Sequence, residues 1–392
     1  MKYLLTLATC LFAGTAVAWL PAVPKIRGVN IGGLFVAEPW MMNDEWNRMG
    51  CDGALSEFDC VIKLGQDAAD RAFQDHWANW YTQDDIRRIA SLGLNTIRIP
   101  VGYWMREDIV WRDSEHFPRG AFRYLKRMCQ WAKDAGLYVI IDLHGAPGAQ
   151  QPNQPFTGQF APTVGFYVSW QYERAYQFLE WMTRIIHTDS AFWSVGAIQL
   201  VNEPFQNPSQ IPTLVSEFYP NAWRRIRAAE DQLGTARDQR LHIQMMNEKW
   251  GSGNPNQALT DLWFAFYDDH KYVKWTPDVD ANRDAYMRYS CTDDRGGNWP
   301  VIVGEWSLST ADENGSEFDI NRADAKDWYR RWWSAQTISY EKQNGWVFWS
   351  WKVDWIGGRN DWRWGYRNAV DAGVIPADAA AGVSSGACDG FV

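Results

Sequence analysis

The segment LYVIIDLH, residues 137–144, decides the fold of this chain. Its first five residues are apolar, and two of its last three, Asp142 and His144, are polar. A short apolar run of this kind is typical of a strand in a parallel sheet that is covered on both faces. The segment therefore predicts a buried strand with polar side chains at its carboxyl end.

Seven further segments show the same pattern, and amphipathic stretches separate most of them. This alternation of strands and helices predicts a parallel sheet, and eight strands in 392 residues fit a single-domain α/β protein with the (β/α)8, or TIM barrel, fold. The seven segments are KIRGVNIGG (25–33), NTIRIPV (95–101), AIQLVNEP (197–204), LHIQMMNE (241–248), WFAFYDDHKY (263–272), VIVGEWS (301–307) and GWVFWSWKV (345–353).

A doubly wound open sheet is the alternative architecture, and two observations favour the barrel. The first strand is followed by NIGG at 30–33, which lacks the G-x-G-x-x-G spacing of a dinucleotide-binding turn. Residues able to do chemistry also lie near the carboxyl ends of the segments, where a barrel places its active site. These residues are Arg98, His144, Asn202, Glu203, Glu248, His270, Tyr272, Glu305 and Trp349.

Charge and composition exclude several classes of protein. The chain has 38 basic and 47 acidic residues, a net charge of -9, and no run of five Lys or Arg. A nucleic-acid partner is therefore not expected. With 46% hydrophobic and 22% charged residues the chain is globular, and its 26 tryptophans require an explanation.

The first 18 residues have the pattern of a cleaved secretory signal. Lys2 precedes an apolar stretch from Leu4 to Ala13, and Ala16 and Ala18 form an A-x-A site. No later stretch approaches the length of apolar sequence that crosses a membrane. We therefore expect residues 19–392 to form one domain that is secreted and not bound to a membrane.

Six cysteines are present, and Cys10 would leave with the signal. Cys51 and Cys60 lie in a Gly-rich stretch and are expected to close a small loop; a second predicted bridge joins Cys291 to Cys388. Cys129 lies among apolar positions of a predicted helix and is expected to be a free buried thiol. Because no C-x-x-C or H-E-x-x-H spacing occurs, neither a metal nor another cofactor is predicted.

Glu203 in LVNEP and Glu305 in VIVGEWS each end an otherwise apolar strand, the fourth and the seventh. These strands face each other across the mouth of a barrel. Two opposed carboxylates indicate glycoside hydrolysis, and a retaining mechanism places them about 5 to 5.5 Å apart. The alternatives are that the glutamates pair with arginines on a solvated rim, or that the barrel binds carbohydrate without cleaving it.

The motifs RGVNIGG, EPW, NTIRIPVGYW, IIDLHGAPG, VNEP, DDHKY, GEWS and FWSWK together resemble glycoside hydrolase family 5. The resemblance extends from about Lys25 to Cys388. Within this family, the segments FVAEPWM, GCDGALSEFDCVIKLGQDAA and FTGQFAPT are most similar to those of secreted fungal endo-β-1,6-glucanases. Exo-β-1,3-glucanases share the framework, but they usually have GGWLVLEPW where this chain has GGLFVAEPW.

The resemblance implies a role for each matching residue. Glu203 would be the acid/base and Glu305 the nucleophile of a retaining reaction. Asn202 would hold the 2-hydroxyl of the sugar. Arg98 would lie beside Glu305 and keep that carboxylate ionised, while Glu203 stays protonated. Tyr272 would donate to the nucleophile.

Four other positions are implied to support catalysis or bind substrate. His144 and His270 match the two active-site histidines of the family, and Glu38 matches an acidic residue that binds sugar hydroxyls in exo-acting relatives. Trp349 and Trp351 alternate along one predicted strand, so only one can face the interior, and Trp349 is favoured as a platform for a sugar ring. Glu248 is a third carboxylate at a strand end, and we expect it to lie away from the substrate.

The resemblance implies a secreted enzyme that cuts β-glucan polysaccharide or oligosaccharide at internal β-1,6 bonds. We expect this enzyme to be a monomer. An exo-β-1,3-glucanase or a diglycosidase on the same fold is the alternative. The loop over residues 151–167 is expected to shape specificity. Most tryptophans should pack between helices and barrel, whereas a smaller set is placed where sugar faces could stack: Trp40, Trp104, Trp306, Trp349, Trp355 and Trp362.

Overall fold

Eight parallel strands close into a barrel in chain order in the computed structural model. The structure describes residues 25–311, 317–354, 356 and 361–391, so the predicted secretory signal over residues 1–18 lies outside the described residues. The (β/α)8 prediction is confirmed. The strands are β1 (Ile26–Asn30), β2 (Thr96–Gly102), β3 (Tyr138–Gly145), β4 (Val195–Gln199), β5 (His242–Met246), β6 (Ala265–His270), β7 (Val301–Glu305) and β8 (Gly345–Phe348).

Helices surround the barrel and connect most of the strands. Between β5 and β6, in a segment that the structure describes throughout, the connection contains only 3-10 turns. The α-helices of the described ranges are α1 (Asn43–Arg48), α2 (Glu57–Leu64), α3 (Gln66–Asn79), α4 (Gln83–Ser91), α5 (Phe122–Asp134), α6 (Ser169–Thr188), α7 (Tyr219–Leu233), α8 (Arg283–Thr292), α9 (Ala325–Glu341) and α10 (Tyr366–Asp371).

The strands are buried on both faces, as their apolar sequences predict. Every residue of β2 and β3 is buried. Alternate strand residues belong to two separate clusters: Val139 and Ile141 pack toward the helices, whereas Tyr138 and Ile140 join a small cluster inside the barrel. The barrel is therefore filled with side chains below the level at which the functional residues lie.

Closure of the barrel depends on a glycine. β8 pairs in parallel with β1, and Gly345 is aligned with Ile26. A Cβ atom on Gly345 would lie 1.9 Å from the carbonyl oxygen of Ile26, and the φ angle of Gly345 is 118°. Only glycine accepts both the close approach and this backbone angle.

Six of the eight strands end earlier than the segments that predicted them, and the difference is largest for β4 and β8. β4 ends at Gln199 and β8 at Phe348, so Glu203 and Trp349 lie on the loops that follow and not on the strands. Trp349 and Trp351 still differ in environment as expected. The Trp351 side chain is fully buried and its indole nitrogen donates to Asp85 Oδ1 at 2.9 Å.

Both predicted disulfides are present. Cys51 bonds to Cys60 with a Cα–Cα distance of 5.0 Å, and Cys291 bonds to Cys388 with a Cα–Cα distance of 5.4 Å. Cys129 is a free, buried thiol. None of the helices in the described ranges combines the length and the apolar character that a membrane span requires.

Candidate active site

A cavity of about 440 Å³ opens at the carboxyl end of the barrel strands. We call this cavity the first cleft, and it is lined by seven of the nine residues to which the family resemblance gave a catalytic or binding role. Two residues of the loop over 151–167, Gln154 and Phe156, also line it. The seven predicted residues are Glu38, His144, Asn202, Glu203, Tyr272, Glu305 and Trp349.

A second cleft of about 390 Å³ lies on the other side of Glu203. Its walls include Trp250 and His270, and it shares Glu203, Tyr272 and Trp275 with the first cleft. The two cavities are therefore neighbours, and Glu203 and Tyr272 stand at the junction between them.

The two glutamates meet at this junction. Glu305 is the last residue of β7 and is only 5% exposed, whereas Glu203 follows β4 with a positive φ of 37°. A left-handed backbone is uncommon outside glycine and costs free energy, so the surrounding structure holds Glu203 in a strained position. A carboxylate oxygen of Glu203 lies within 4.8 Å of one of Glu305. This separation fits a retaining pair better than an inverting pair, whose carboxyl groups are about 6.5 to 9.5 Å apart.

Arg98 lies beneath the first cleft and is completely buried. Its Nη1 donates to Glu305 Oε1 at 2.9 Å, and its Nη2 lies 3.0 Å from Asp142 Oδ2. The position of Arg98 beside Glu305 is as predicted. Since the guanidinium stays charged in proteins, it supplies a fixed positive charge to two buried carboxylates.

Three neutral side chains complete the hydrogen bonding of Arg98. They are Asn30, Gln199 and Asn202, whose amide oxygens accept from Arg98 at 2.9, 2.9 and 2.7 Å. Asn30 and Gln199 were not among the residues predicted from the sequence. Each of the two is a polar residue within an apolar strand, and this feature could have identified them. A buried polar side chain requires a hydrogen-bond partner.

Glu305 receives a hydrogen bond on each oxygen. The Tyr272 hydroxyl donates to Oε2 at 3.0 Å, opposite the bond from Arg98 to Oε1. Burial raises the pKa of Glu305, and the charges of His270 and Arg98 act in the opposite direction. The effect of Arg98 thus has the predicted sign, but desolvation exceeds it.

His270 bridges two carboxylates from the end of β6. Its Nδ1 is 2.6 Å from Glu203 Oε1, and its Nε2 is 3.2 Å from Asp268 Oδ2. Burial lowers the pKa of His270, but the charges of Glu305 and Asp268 outweigh burial and raise it well above the ordinary value. Carboxylate oxygens at both ring nitrogens and the raised pKa favour the protonated form of His270.

The same residues form a group that could hold a metal ion, since Glu203, His270 and Glu305 each place a ligand atom within 4.8 Å of the others. A histidine ligand must offer a free lone pair to the metal. Both ring nitrogens of His270 already face carboxylate oxygens, so hydrogen bonding accounts for the cluster. The prediction that no metal is needed remains a prediction.

His144 is held in a fixed orientation on the opposite wall. Its Nδ1 is 2.6 Å from Asp142 Oδ2, so Asp142 contacts both His144 and Arg98. The imidazole of His144 stacks on the indole of Trp349, with ring centroids 5.5 Å apart and an interplanar angle of 6°. This wall therefore presents a flat aromatic surface to the first cleft.

Glu38 lies on the segment after β1 and is 5% exposed. Its Oε2 accepts from the Trp40 indole nitrogen at 2.9 Å, while its Oε1 has no hydrogen-bond partner among the described residues. Burial raises the pKa of Glu38 to about 7, against the charge of His144 and the bond from Trp40. Oε1 is thus an acceptor without a partner in the wall of the first cleft.

The tryptophans that line the first cleft are not the set that the sequence predicted. Trp40 and Trp349 line the first cleft as expected, but Trp275 and Trp364, which the sequence did not single out, also line it. Three others are buried in the core because they pack against neighbouring aromatic rings, and Trp355 lies outside the described residues. The three buried residues are Trp104, Trp306 and Trp362.

Glu248 lines neither cleft, as expected for the third carboxylate. It lies in a 3-10 turn after β5, where its Oε2 accepts from Asn254 Nδ2 at 2.7 Å. Glu248 therefore has a structural role, because its hydrogen bond joins that turn to Asn254.

Comparisons with known proteins agree with this geometry. Residues 61–354 match the cellulase family, glycosyl hydrolase family 5. The glucan endo-1,6-beta-glucosidase B of Emericella nidulans is 59% identical over 360 residues, which cover 92% of this chain and 87% of the relative. A probable glucan endo-1,6-beta-glucosidase B of Aspergillus terreus is 53% identical, covering 93% of this chain and 89% of the relative.

The crystal structure of rutinosidase from Aspergillus niger has the same fold. It aligns with a TM-score of 0.69 and 19% sequence identity, covering 89% of this chain and 97% of the rutinosidase. Since the family match spans most of the chain and a relative is 59% identical over nearly its whole length, this chain belongs to glycosyl hydrolase family 5 and is a glycoside hydrolase.

Proposed function

We propose that this protein hydrolyses β-1,6-glucan at internal bonds with retention of configuration, using Glu305 as nucleophile and Glu203 as acid/base. The observation that carries the proposal is the approach of the two carboxylates to within 4.8 Å at the junction of two clefts. A bound glucan chain would occupy both clefts, with the bond to be cut between Glu203 and Glu305.

The reaction has two steps. In the first, a carboxylate oxygen of Glu305 attacks the anomeric carbon while Glu203 gives its proton to the departing glycosidic oxygen, which leaves as the hydroxyl of the released chain. In the second, Glu203 takes a proton from water, and the oxygen of that water attacks the anomeric carbon and releases Glu305. Two inversions at the anomeric carbon give net retention.

Asn202 is suited to bind the 2-hydroxyl of the reacting sugar. Its Oδ1 is occupied by Arg98, and its Nδ2 has no hydrogen-bond partner among the described residues. A buried amide N–H₂ group without a partner is costly unless a ligand accepts from it. Because Arg98 fixes the amide, its donor is already oriented before substrate binds, which reduces the reorganisation needed in the transition state.

The β-1,6 linkage is consistent with an acidic residue in the first cleft. An internal glucose of a β-1,6 chain is joined through its O1 and O6, so its 2-, 3- and 4-hydroxyls are all free. Glu38 can therefore accept from a ring hydroxyl through Oε1 without blocking the continuation of the chain. The choice of linkage also follows the Emericella nidulans relative, which is named as a glucan endo-1,6-beta-glucosidase.

Internal cleavage requires sugars on both sides of the catalytic pair. The second cleft supplies space beyond Glu203 for the leaving chain, and Trp275, which is 64% exposed, belongs to both clefts. Aromatic faces stack on sugar rings, so Trp275 would support the chain across the junction.

The proposed location is outside the cell. The secretory pattern of residues 1–18, two disulfides and the secreted character of the resembled group support this location. We propose residues 19–392 as the mature catalytic domain. We also propose that the enzyme acts as a monomer, since both catalytic carboxylates belong to the same barrel.

Incubation with a pustulan-type β-1,6-glucan and a laminarin-type β-1,3-glucan, followed by sizing of early products, tests the proposal. The expected result is rapid shortening of the β-1,6-glucan to a mixture of oligosaccharides, with little change in the β-1,3-glucan. The Glu305→Gln variant is the control for contaminating activity. Glucose as the sole early product, or preferred cleavage of the β-1,3-glucan, would contradict the assignment.

A further inference from the structure

Glu57 lies outside both clefts but contacts the backbone next to a residue that lines one of them. It is the first residue of α2, and its side chain is completely buried. Its Oε1 accepts from the backbone N–H of Ala37 at 2.8 Å, and Ala37 directly precedes Glu38. Burial of a carboxyl group costs free energy. The presence of Glu57 at this position therefore indicates a specific role for its bond with the Ala37 N–H.

The start of α2 also reaches a second wall of the first cleft. The Phe58 N–H donates to the carbonyl oxygen of Gly158 at 3.0 Å, and Gly158 lies two residues after Phe156, which lines the cleft. A Cβ atom on Gly158 would lie 2.0 Å from the ring of Trp104. Only glycine allows this close packing, so the loop is tightly seated where α2 touches it.

The segment that carries Glu57 is itself constrained. The disulfide between Cys51 and Cys60 closes the loop in which Glu57 lies, and both cysteines are completely buried. The Ser56 side chain accepts from the Asp59 N–H and caps α2. Glu57 therefore presents its carboxyl group from a rigid element, as precise positioning requires.

We propose that Glu57 is a positioning residue for substrate binding. Its carboxyl group holds the backbone of Ala37 so that the Glu38 carboxylate faces the ring hydroxyls of the sugar in the first cleft. Glu57 touches no substrate, and its effect on binding passes through the backbone that carries Glu38. The inference rests on the role of Glu38 given under the proposed function, but it does not depend on which linkage is cut.

Two substitutions of nearly equal size test this role. Glu57→Met keeps the volume and suits a buried site, but it removes the acceptor for the Ala37 N–H; Glu57→Gln retains an amide oxygen as acceptor. We expect Glu57→Met to raise KM by about 10-fold to 100-fold with a smaller change in kcat, and Glu57→Gln to restore most of the affinity. Lys63→Ala, on the exposed side of α2, is the matched control and should behave like the wild type.

A double-mutant cycle with Glu38→Ala separates positioning from general stabilisation. Because Glu57 acts through Glu38, adding Glu57→Met to Glu38→Ala should produce no further rise in KM. Equal effects of Glu57→Met in both backgrounds, or a wild-type KM for Glu57→Met, would overturn the inference. The assay uses whichever β-glucan the wild type cleaves, so an error in the proposed linkage would appear only in the substrate comparison above.

Discussion

The hydroxyl of Tyr272 donates a hydrogen bond of 3.0 Å to Oε2 of Glu305, the oxygen that Arg98 does not contact. Together with Arg98, this donor fixes the orientation of the Glu305 carboxylate before it attacks the sugar. Tyr272→Phe removes it without changing the shape of the cleft. We expect kcat to fall on the order of 10-fold to 100-fold, measured with the β-glucan substrate, with a smaller change in KM. An unchanged kcat would show that this bond does not assist the nucleophile.

Substrates with different leaving groups distinguish the two carboxylates. Glu203→Gln should lower activity on glucan by about 10²-fold to 10⁴-fold, because an alkoxide is a poor leaving group without protonation. It should still release dinitrophenol rapidly in a first burst from a dinitrophenyl β-glucoside, which needs no acid. Glu305→Gln should lose both reactions, to below about one thousandth of the wild-type rate. Loss of the burst in Glu203→Gln would argue against its role as the acid.

Arg98 is expected to be essential for stability as well as for catalysis. Arg98→Gln would leave Asp142 and Glu305 buried without their shared cation. Removing one partner of a buried ion pair costs about 3 to 5 kcal/mol in the free energy of unfolding. Arg87→Gln, which breaks an exposed pair with Asp84, should cost less than about 1 kcal/mol. Urea denaturation measures the free energy of unfolding of both variants. Equal losses in the two variants would show that burial does not increase the contribution of the ion pairs of Arg98.

Trp275 should matter more for long chains than for short substrates, because it lies along both clefts. Trp275→Ala removes a stacking surface worth about 1 kcal/mol beyond the area that it buries. We therefore expect kcat/KM on polymeric glucan to fall about 5-fold to 50-fold, with a smaller fall on an aryl β-glucoside. Trp193→Ala is the control, since Trp193 is also exposed, at 57%, but lies two residues before β4 at the opposite end of the barrel.

Glu57 should make stability depend on pH. Burial raises the pKa of Glu57 to about 8, whereas glutamate in an unfolded chain titrates near about 4.3. Between these values the folded protein binds this proton more tightly than the unfolded chain. The free energy of unfolding contributed by this group therefore falls as pH rises, on the order of 1 kcal/mol per pH unit. Glu57→Gln should flatten the decline in Tm between pH 5 and pH 8. An identical decline in the variant would show that Glu57 does not carry this proton.

The eight-stranded architecture could be predicted because each strand can be recognised from its own sequence. A segment such as 137–144 is apolar where it is buried and polar where it ends, and this pattern needs no knowledge of the rest of the chain. Residues at those ends, including Glu305 and His144, are brought to one face of any parallel barrel. Their common location was therefore predictable from the order of the strands.

The contacts around Arg98 could not be predicted in the same way. Asn30 and Gln199 were visible as polar residues in apolar strands, but their common partner depends on the register of β1, β2 and β4. The environments of Trp104 and Trp275 could not be predicted either. Both residues follow a strand, but Trp104 is packed against glycines in the core, whereas Trp275 lines both clefts.

The sequence by itself determined the succession of strand segments and the set of residues able to do chemistry, because these follow from local periodicity and from residue type. The two disulfide pairings were predicted, but only the folded chain brings the paired cysteines together. Only the tertiary structure decided which oxygen of Glu305 each donor meets, that two clefts share Glu203, and that Glu57 binds the backbone N–H of Ala37, next to Glu38. Such relationships depend on how distant segments pack, and packing distances of a few ångströms are set by all the neighbouring side chains together.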